Sequence, residues 1–316
     1  MKQRSFFVST ILVLLLFSVL AQGVSFQFVQ ADNQNFASVQ NSSVSDDWSM
    51  FHHDLMHTGS STSLVANDSL LWKFATSDRI RSSAAVVNGV VYDGSNNGYV
   101  YALNATSGSV IWQYYSGSNV ESSPAVVGNV VYIGILLDGY NGYVCALSAA
   151  TGSVIWRFAT NSGIESSPTV VNGIVYVGSY YGYIYALNAS NGTLIWSYHT
   201  GGSAFSSPAV VNGVVYVGSA DGCVYALNAF NGSRIWSFKT GGIVYSSPAV
   251  VNNIVYVGSQ DRNVYALNAS GGSQIWNYWT GGYVEASPAV VSGVVYVNSG
   301  NGCLAALNDA NGSLIW

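Results

Sequence analysis

The chain has 316 residues, of which only 7% are charged and 14% aromatic, with 34 glycines and a formal net charge of −5. A typical soluble domain carries about 25% charged residues, so this composition fits a β-rich extracellular protein with a neutral polar surface. No basic stripe is present, which excludes nucleic acid as a partner.

Lys2 and Arg4 open the chain, residues 6–20 form an uncharged apolar run, and small residues come next. This order reads as an export signal with cleavage after Gly23 or Ala31, residues 1–31 being signal peptide or anchor. An uncleaved anchor is the rival, because residues 24–29 can lengthen the apolar run toward a membrane span. No Cys follows the apolar core, which argues against a lipid-anchored lipoprotein. Residues 32–69 read as an entry segment that caps the body of the protein. Within it, His52, His53, Asp54 and His57 suggest a metal, but His53 and His57 face one way only on a helix, and the capping reading is preferred.

From residue 70 the chain repeats. Trp72, Trp112, Trp156, Trp196, Trp236, Trp276 and Trp316 fall 40, 44, 40, 40, 40 and 40 residues apart. A period of this length marks units that bury their apolar faces only by stacking on copies of themselves. One unit, 206–240, splits into four short runs, 208–211, 214–218, 223–227 and 235–238, divided by Asn212-Gly213, Asp221-Gly222 and Asn231-Gly232. Asn-Gly and Asp-Gly supply the positive φ angles of tight hairpins. Each unit is therefore a four-stranded antiparallel meander, and sheets of this length repeated about an axis are β-propeller blades. The fold class is all-β: six recognisable blades preceded by a lone Trp strand over 70–76.

Pro124, Pro168, Pro208, Pro248 and Pro288 share one repeat position, with Ala84 in the remaining copy. Proline cannot donate to a ladder, which places this run on the innermost edge strand, lining the channel. The Trp strand is then outermost. Phe or Tyr two residues after each Trp shares its face, so both rings wedge between blades. Burying one indole is worth about 5 kcal/mol before entropy is subtracted. These seven tryptophans are docking residues, not cofactor contacts.

Ala226-Leu227-Asn228, Asn231-Gly232 and Trp236 are similar to the motif A-x-D-x-x-T-G-x-x-x-W of pyrroloquinoline-quinone-like (PQQ-like) repeat propellers, with Asn usually in place of Asp. Six copies match in frame, from Ala102, Ala146, Ala186, Ala226, Ala266 and Ala306, and the resemblance covers 70–316. In such propellers an N-terminal strand commonly completes the last blade. Here the sixth unit stops at Trp316, so a truncated chain from a parent of seven or eight blades is expected, or else a six-unit ring closed irregularly. The resemblance also implies candidate chemistry. Its alcohol dehydrogenases use PQQ with a calcium site, a catalytic Asp and a disulfide between adjacent cysteines, and this chain has no Cys-Cys pair.

The position three residues before the repeat proline diverges most: Arg81, Glu121, Glu165, Phe205, Tyr245 and Glu285. This ring at the channel mouth is the candidate binding site, for a cation or a peptide segment; the bland alternative is a solvated rim. Asp221 and Asp261 read as turn residues. Asp93 stands where a Val or Ile is expected and has no evident partner. Cys145, Cys223 and Cys303 read as buried free thiols. Unit two carries four extra residues near Ile135-Leu136-Leu137-Asp138, either a partner contact or a tucked loop. Eight N-x-S/T sequons, at Asn41, Asn67, Asn104, Asn188, Asn191, Asn231, Asn268 and Asn311, fall mostly in hairpin turns.

The function expected is an exported, non-catalytic β-propeller acting as a protein- or ligand-binding scaffold at the cell surface or in the periplasm. In role it resembles the propeller component of outer-membrane protein assembly. A protein or peptide partner is expected, with membrane contact only through an uncleaved N-terminal segment. No catalytic residue, metal or cofactor is assigned. The alternative is a PQQ- and calcium-dependent dehydrogenase, and a third reading is a purely structural surface-layer array.

Overall fold

The computed structural model describes residues 47–59, 70–137 and 141–316. The export segment, much of the capping segment, the sequons at Asn41 and Asn67, and Asp138 lie outside the described residues. The repeats belong to one compact unit, Ser45–Trp316.

All regular structure among the described residues is β. The first sheet contains β1 (Ala85–Val87), β2 (Val90–Gly94), β3 (Tyr99–Asn104) and β4 (Val110–Tyr115), paired in that order and antiparallel throughout. Four further sheets repeat this order over 125–160, 169–199, 209–239 and 249–279. The sixth, over 289–308, has three strands, and Leu314 makes only an isolated bridge to Leu307. The strand bounds expected from the turn signals agree with those found to within a residue or two. Asn212 at φ 50° and Gly213 at φ 77° form the two-residue turn that their chemistry demands, closing the Val211↔Val214 pair.

The innermost strands begin just after the repeat proline, and each lies against the one in the next blade, as radial packing requires. The core sits between blades. Trp112, Trp156, Trp196, Trp236 and Trp276 are only 7–8% exposed. Their seat is more specific than packing. The Trp196 Nε1–H donates to the Ala229 carbonyl of the next blade at 2.8 Å, and the Tyr176 hydroxyl donates to the same oxygen at 3.0 Å. Gly232 lies beneath the indole at φ +72°, where a Cβ would meet the ring at 2.7 Å. The equivalent indole bond forms from Trp112, Trp156, Trp236 and Trp276. The motif Asn explains itself too: Asn228 Oδ1 accepts the N–H groups of Phe230 and Asn231 at 2.9 and 3.1 Å, holding the turn that presents the carbonyl.

Trp72 makes the same bond, Nε1–H to the Ala105 carbonyl at 2.7 Å. Residues 70–76 nevertheless form no strand, a correction to the sequence expectation. Among the described residues no neighbouring strand offers them ladder partners, and an isolated strand leaves its backbone to water. The two end blades show matching exposure. Ile80 is 47% and Leu304 54% exposed, whereas the equivalents Val120 and Val100 are fully buried. Trp316 is 59% exposed.

A feature invisible to periodicity fills the axis. The N–H groups of Val86, Val126, Val210, Val250 and Val290 alternate away from their own sheets, and the segment 48–58 supplies their acceptors. The Trp48, Ser49, Leu55, Met56 and Thr58 carbonyls accept from them in that order at 2.7–2.9 Å. In the third blade the contact is a side chain: His57 Nε2 lies 3.3 Å from Thr169 Oγ1. The capping segment therefore crosses the inner edges of all six sheets. A belt of serines ties the same edges together, each backbone N–H donating to the next blade's hydroxyl, from Ser83→Ser123 at 2.8 Å to Ser247→Ser287 at 2.9 Å.

Candidate functional site

Five of the six mouth residues are set by the Ser-Ser that comes after them; Glu285 is followed by Ala286-Ser287. Ser122 Oγ accepts the Gly134 N–H at 3.1 Å, and Ser166, Ser206 and Ser246 do the same for Gly178, Gly218 and Gly258. With the equivalent Ser82–Gly94 bond at 3.1 Å, this clamp fixes the chain as it enters the inner strand in the first five blades; Ala286 has no hydroxyl to repeat it in the sixth.

Adjacent mouth residues touch or sense one another. Arg81 Nη1 donates to Glu121 Oε2 at 3.3 Å, and Asn96 Nδ2 donates to Glu121 Oε1 at 3.0 Å. Burial pushes the Glu165 carboxyl up, and the Glu121 charge adds to that rise against the pull of Arg81. The Phe205 ring lies 5.2 Å from Tyr245 and 4.9 Å from Tyr180, the latter edge-on at 89°. Tyr245 is raised first by burial, then by Glu285, Tyr180 and Glu165, which places both carboxylates within its field. Glu285 Oε1 accepts from Gln260 Nε2 at 2.7 Å. The structure thus brings the six sequence-chosen residues into one arc that is acidic and aromatic by turns.

Sequence reasoning missed an outer row of this arc. Asn96, Tyr180 and Gln260 occupy the position two after the repeat Gly, and each reaches the mouth residue of the next blade. That position also varies between units, as Asn96, Tyr180, Ala220, Gln260 and Gly300. The same divergence that singled out the mouth could have singled out these.

Other candidates resolve into structure. Asp221 accepts from the Cys223 N–H at 2.9 Å, the Gly201 N–H at 2.8 Å and the Tyr225 hydroxyl at 2.6 Å. Asp261 repeats this with Asn263, Gly241 and Tyr265. In both, burial pushes the carboxyl up but these donors outweigh it, and the net shift is downward. Asp54 accepts from the Met56 and Thr58 N–H groups at 2.9 and 3.1 Å and so orders its own turn. His53 and His57 are not on a helix, and His57 is fully buried, away from any shared ligand position. The thiols are a partial correction. All three are free, but only Cys145 is buried; Cys303 lies on the uncovered side of the last sheet and is exposed. Ile135, Leu136 and Leu137 extend a hairpin, with Ile135 fully buried, so these three residues are strand and not loop.

Asp93 finds its partner in Ser82, whose hydroxyl donates to it, and it also accepts the Gly94 N–H at 2.9 Å. Burial still raises its carboxyl above the ordinary range. A carboxylate raised in this way weakens the folded state as pH rises past its unfolded value of about 3.9. Asp93→Val, which restores an aliphatic side chain here, is expected to add about 1–2 kcal/mol at pH 7 and less at pH 4. Chemical denaturation at both pH values checks this; an equal gain at both removes ionisation as the cause.

The donor set bears directly on the alternative chemistry. Among the described residues no group of three or more His, Cys, Asp or Glu side chains is placed to hold a metal ion. The cysteines stand singly, Glu121 is taken by Arg81 and Asn96, and Glu285 by Gln260. These residues do not fit a PQQ–calcium centre. On the face away from the mouth, grooves of 530, 430 and 280 Å³ recur between blades. Asn, Val and Tyr side chains line them, without carboxylate, His or Cys.

A family profile described as outer membrane protein assembly factor BamB matches residues 60–135 and 140–316. The chain belongs to this family. No curated protein matches it. Among solved structures, BamB from Moraxella catarrhalis is similar with a TM-score of 0.66 and 21% identity, over 75% of each chain. A europium-containing methanol dehydrogenase is similar at a TM-score of 0.69 and 13% identity, over 78% of this chain and 72% of its own. Quinohemoprotein alcohol dehydrogenase from Comamonas testosteroni matches at 0.66 and 17% identity, over 80% of this chain and 57% of its own. At such identities these structures establish the propeller fold and nothing about activity.

Proposed function

We propose that this protein is an exported, non-catalytic propeller that binds a protein or peptide partner through its channel mouth. The observation that carries the reading is the arc itself. A scaffold whose units otherwise repeat gathers carboxylates, one guanidinium and three aromatic rings at one rim. Membership in a family described by outer membrane protein assembly supports a protein partner and a place at the cell surface or in the periplasm. The export segment agrees with that location. Glu121 and Glu285 are engaged by the protein's own amides and guanidinium, which suits recognition better than redox chemistry.

Two measurements test this. A photoreactive residue at position 205, in the protein expressed in its own host, is expected to give a covalent adduct. One at position 155 on the outer strand is not. The triple change Glu121→Gln, Glu165→Gln and Glu285→Gln should reduce adduct yield at least tenfold, and an unchanged yield rejects the mouth as the binding surface. In parallel, incubation with PQQ and Ca²⁺ is expected to give no dye-linked oxidation of alcohols or sugars; turnover would overturn the proposal.

A further inference from the structure

We propose that the part of the mouth formed by Glu165, Tyr180, Phe205, Tyr245 and Glu285 receives an organic cation, an ammonium or guanidinium group carried on an alkyl stem. The inference rests on the mouth being a binding surface and names the chemistry it binds.

The arc is divided. On one side, Arg81, the one basic residue among the six mouth residues, pairs with Glu121 at 3.3 Å. On the other side stand Glu165 and Glu285, with no cation of the described chain paired to either. Gln260 gives Glu285 a neutral amide hydrogen bond at 2.7 Å, which leaves its charge in place. Between these carboxylates sit the three rings, spaced 4.9 and 5.2 Å apart and packed edge-on or tilted, not face to face. A ring face carries the negative part of the aromatic quadrupole and attracts a cation placed over it; Tyr180 is 38% exposed, and Phe205 and Tyr245 are half-buried. A half-buried carboxylate, Glu165, and an exposed one, Glu285, on either side of aromatic rings make a site that is negative and apolar together.

That combination selects among cations. Calcium takes six to eight oxygen ligands at about 2.3–2.6 Å, and Phe205 offers none while Glu285 already holds an amide. An alkyl stem on the rings with its charged head between carboxylates uses both halves of the site. An anionic ligand meets like charge, and a neutral ligand leaves the carboxylates uncompensated. Two sources share this chemistry: a Lys or Arg side chain on a partner's loop, and a free polyamine.

The test is calorimetric titration of the full chain with three probes. They are a short peptide containing two lysines, the same peptide with norleucine at both positions, and spermidine. The lysine peptide is expected to bind at least tenfold tighter than its norleucine analogue. Glu165→Gln with Glu285→Gln, and separately Phe205→Leu, should each weaken it at least tenfold, with melting temperatures confirming that the variants fold. Tighter binding of spermidine than of the lysine peptide assigns the source to free polyamine and keeps the chemistry. Equal binding of the lysine and norleucine peptides, or unaltered binding by both variants, overturns the assignment. If neither cation binds while the adduct from position 205 persists, the class is wrong and the binding surface stands; if both fail, the surface reading falls as well.

Discussion

Trp196→Ala is expected to destabilise the protein by about 4–5 kcal/mol, read as a shift in the urea unfolding midpoint. Removing a buried aromatic side chain costs about 3–5 kcal/mol through lost burial and the cavity left behind, and the bond to Ala229 goes with it. The Ala229 carbonyl is not orphaned, because the Tyr176 hydroxyl still donates to it at 3.0 Å. The loss is therefore chiefly one of packing. Gly232→Ala attacks the same seat from below, through a Cβ at 2.7 Å from the indole on a backbone at φ +72°. The double variant Trp196→Ala with Gly232→Ala should cost at least about 1 kcal/mol less than the sum of the singles, since the new methyl enters the space the indole vacates. Strictly additive costs would show that the glycine serves only its turn.

Acidification provides the second large effect, through His57. Burial, helped by the neighbouring His52, drives its pKa from the ordinary 6.5 down to about 3. The folded state therefore holds this ring neutral, while the unfolded chain takes up a proton below pH 6.5. A depressed pKa contributes stability that is complete above the unfolded value and declines as pH falls toward the folded one. The expected loss is about 1.4 kcal/mol per pH unit within that window, or about 2 kcal/mol by pH 5. His52, also depressed chiefly by burial, acts in the same direction. Asp221 and Asp261 add acid sensitivity only below about pH 4. Denaturant midpoints measured from pH 7.5 to 4.5 should fall steadily in the wild type and much less in His57→Gln. Parallel slopes would show that this ring does not set the acid response.

Much of this architecture was legible because it is local. Asn212-Gly213 specifies its own turn, the proline position specifies an edge, and Trp196 with Gly232 recurs often enough to declare a docking seat. The mouth residues were also legible, as the places where near-identical units part company. What the sequence concealed is long-range placement. Nothing near Asp93 points to Ser82, eleven residues away across a hairpin. Tyr180 meets Phe205 only because a turn of one blade overhangs the next. The exposure of Cys303 depends on the elements beside its sheet, which a residue's own neighbours in sequence cannot report. The backbone of segment 48–58 carries its bonds on carbonyls, which every residue type possesses and no pattern reveals.

That segment has a further consequence. Near-identical modules invite slippage, because a chain displaced by one period meets the same tryptophans, glycines and serines. The carbonyls of Trp48, Ser49, Leu55, Met56 and Thr58 each meet an equivalent Val, but His57 meets Thr169, where the other five modules carry Ala. The stretch behaves as a ruler threaded through the hub, with one mark that fits the third module alone. Correct counting, in a molecule assembled from interchangeable parts, is written into its least regular portion.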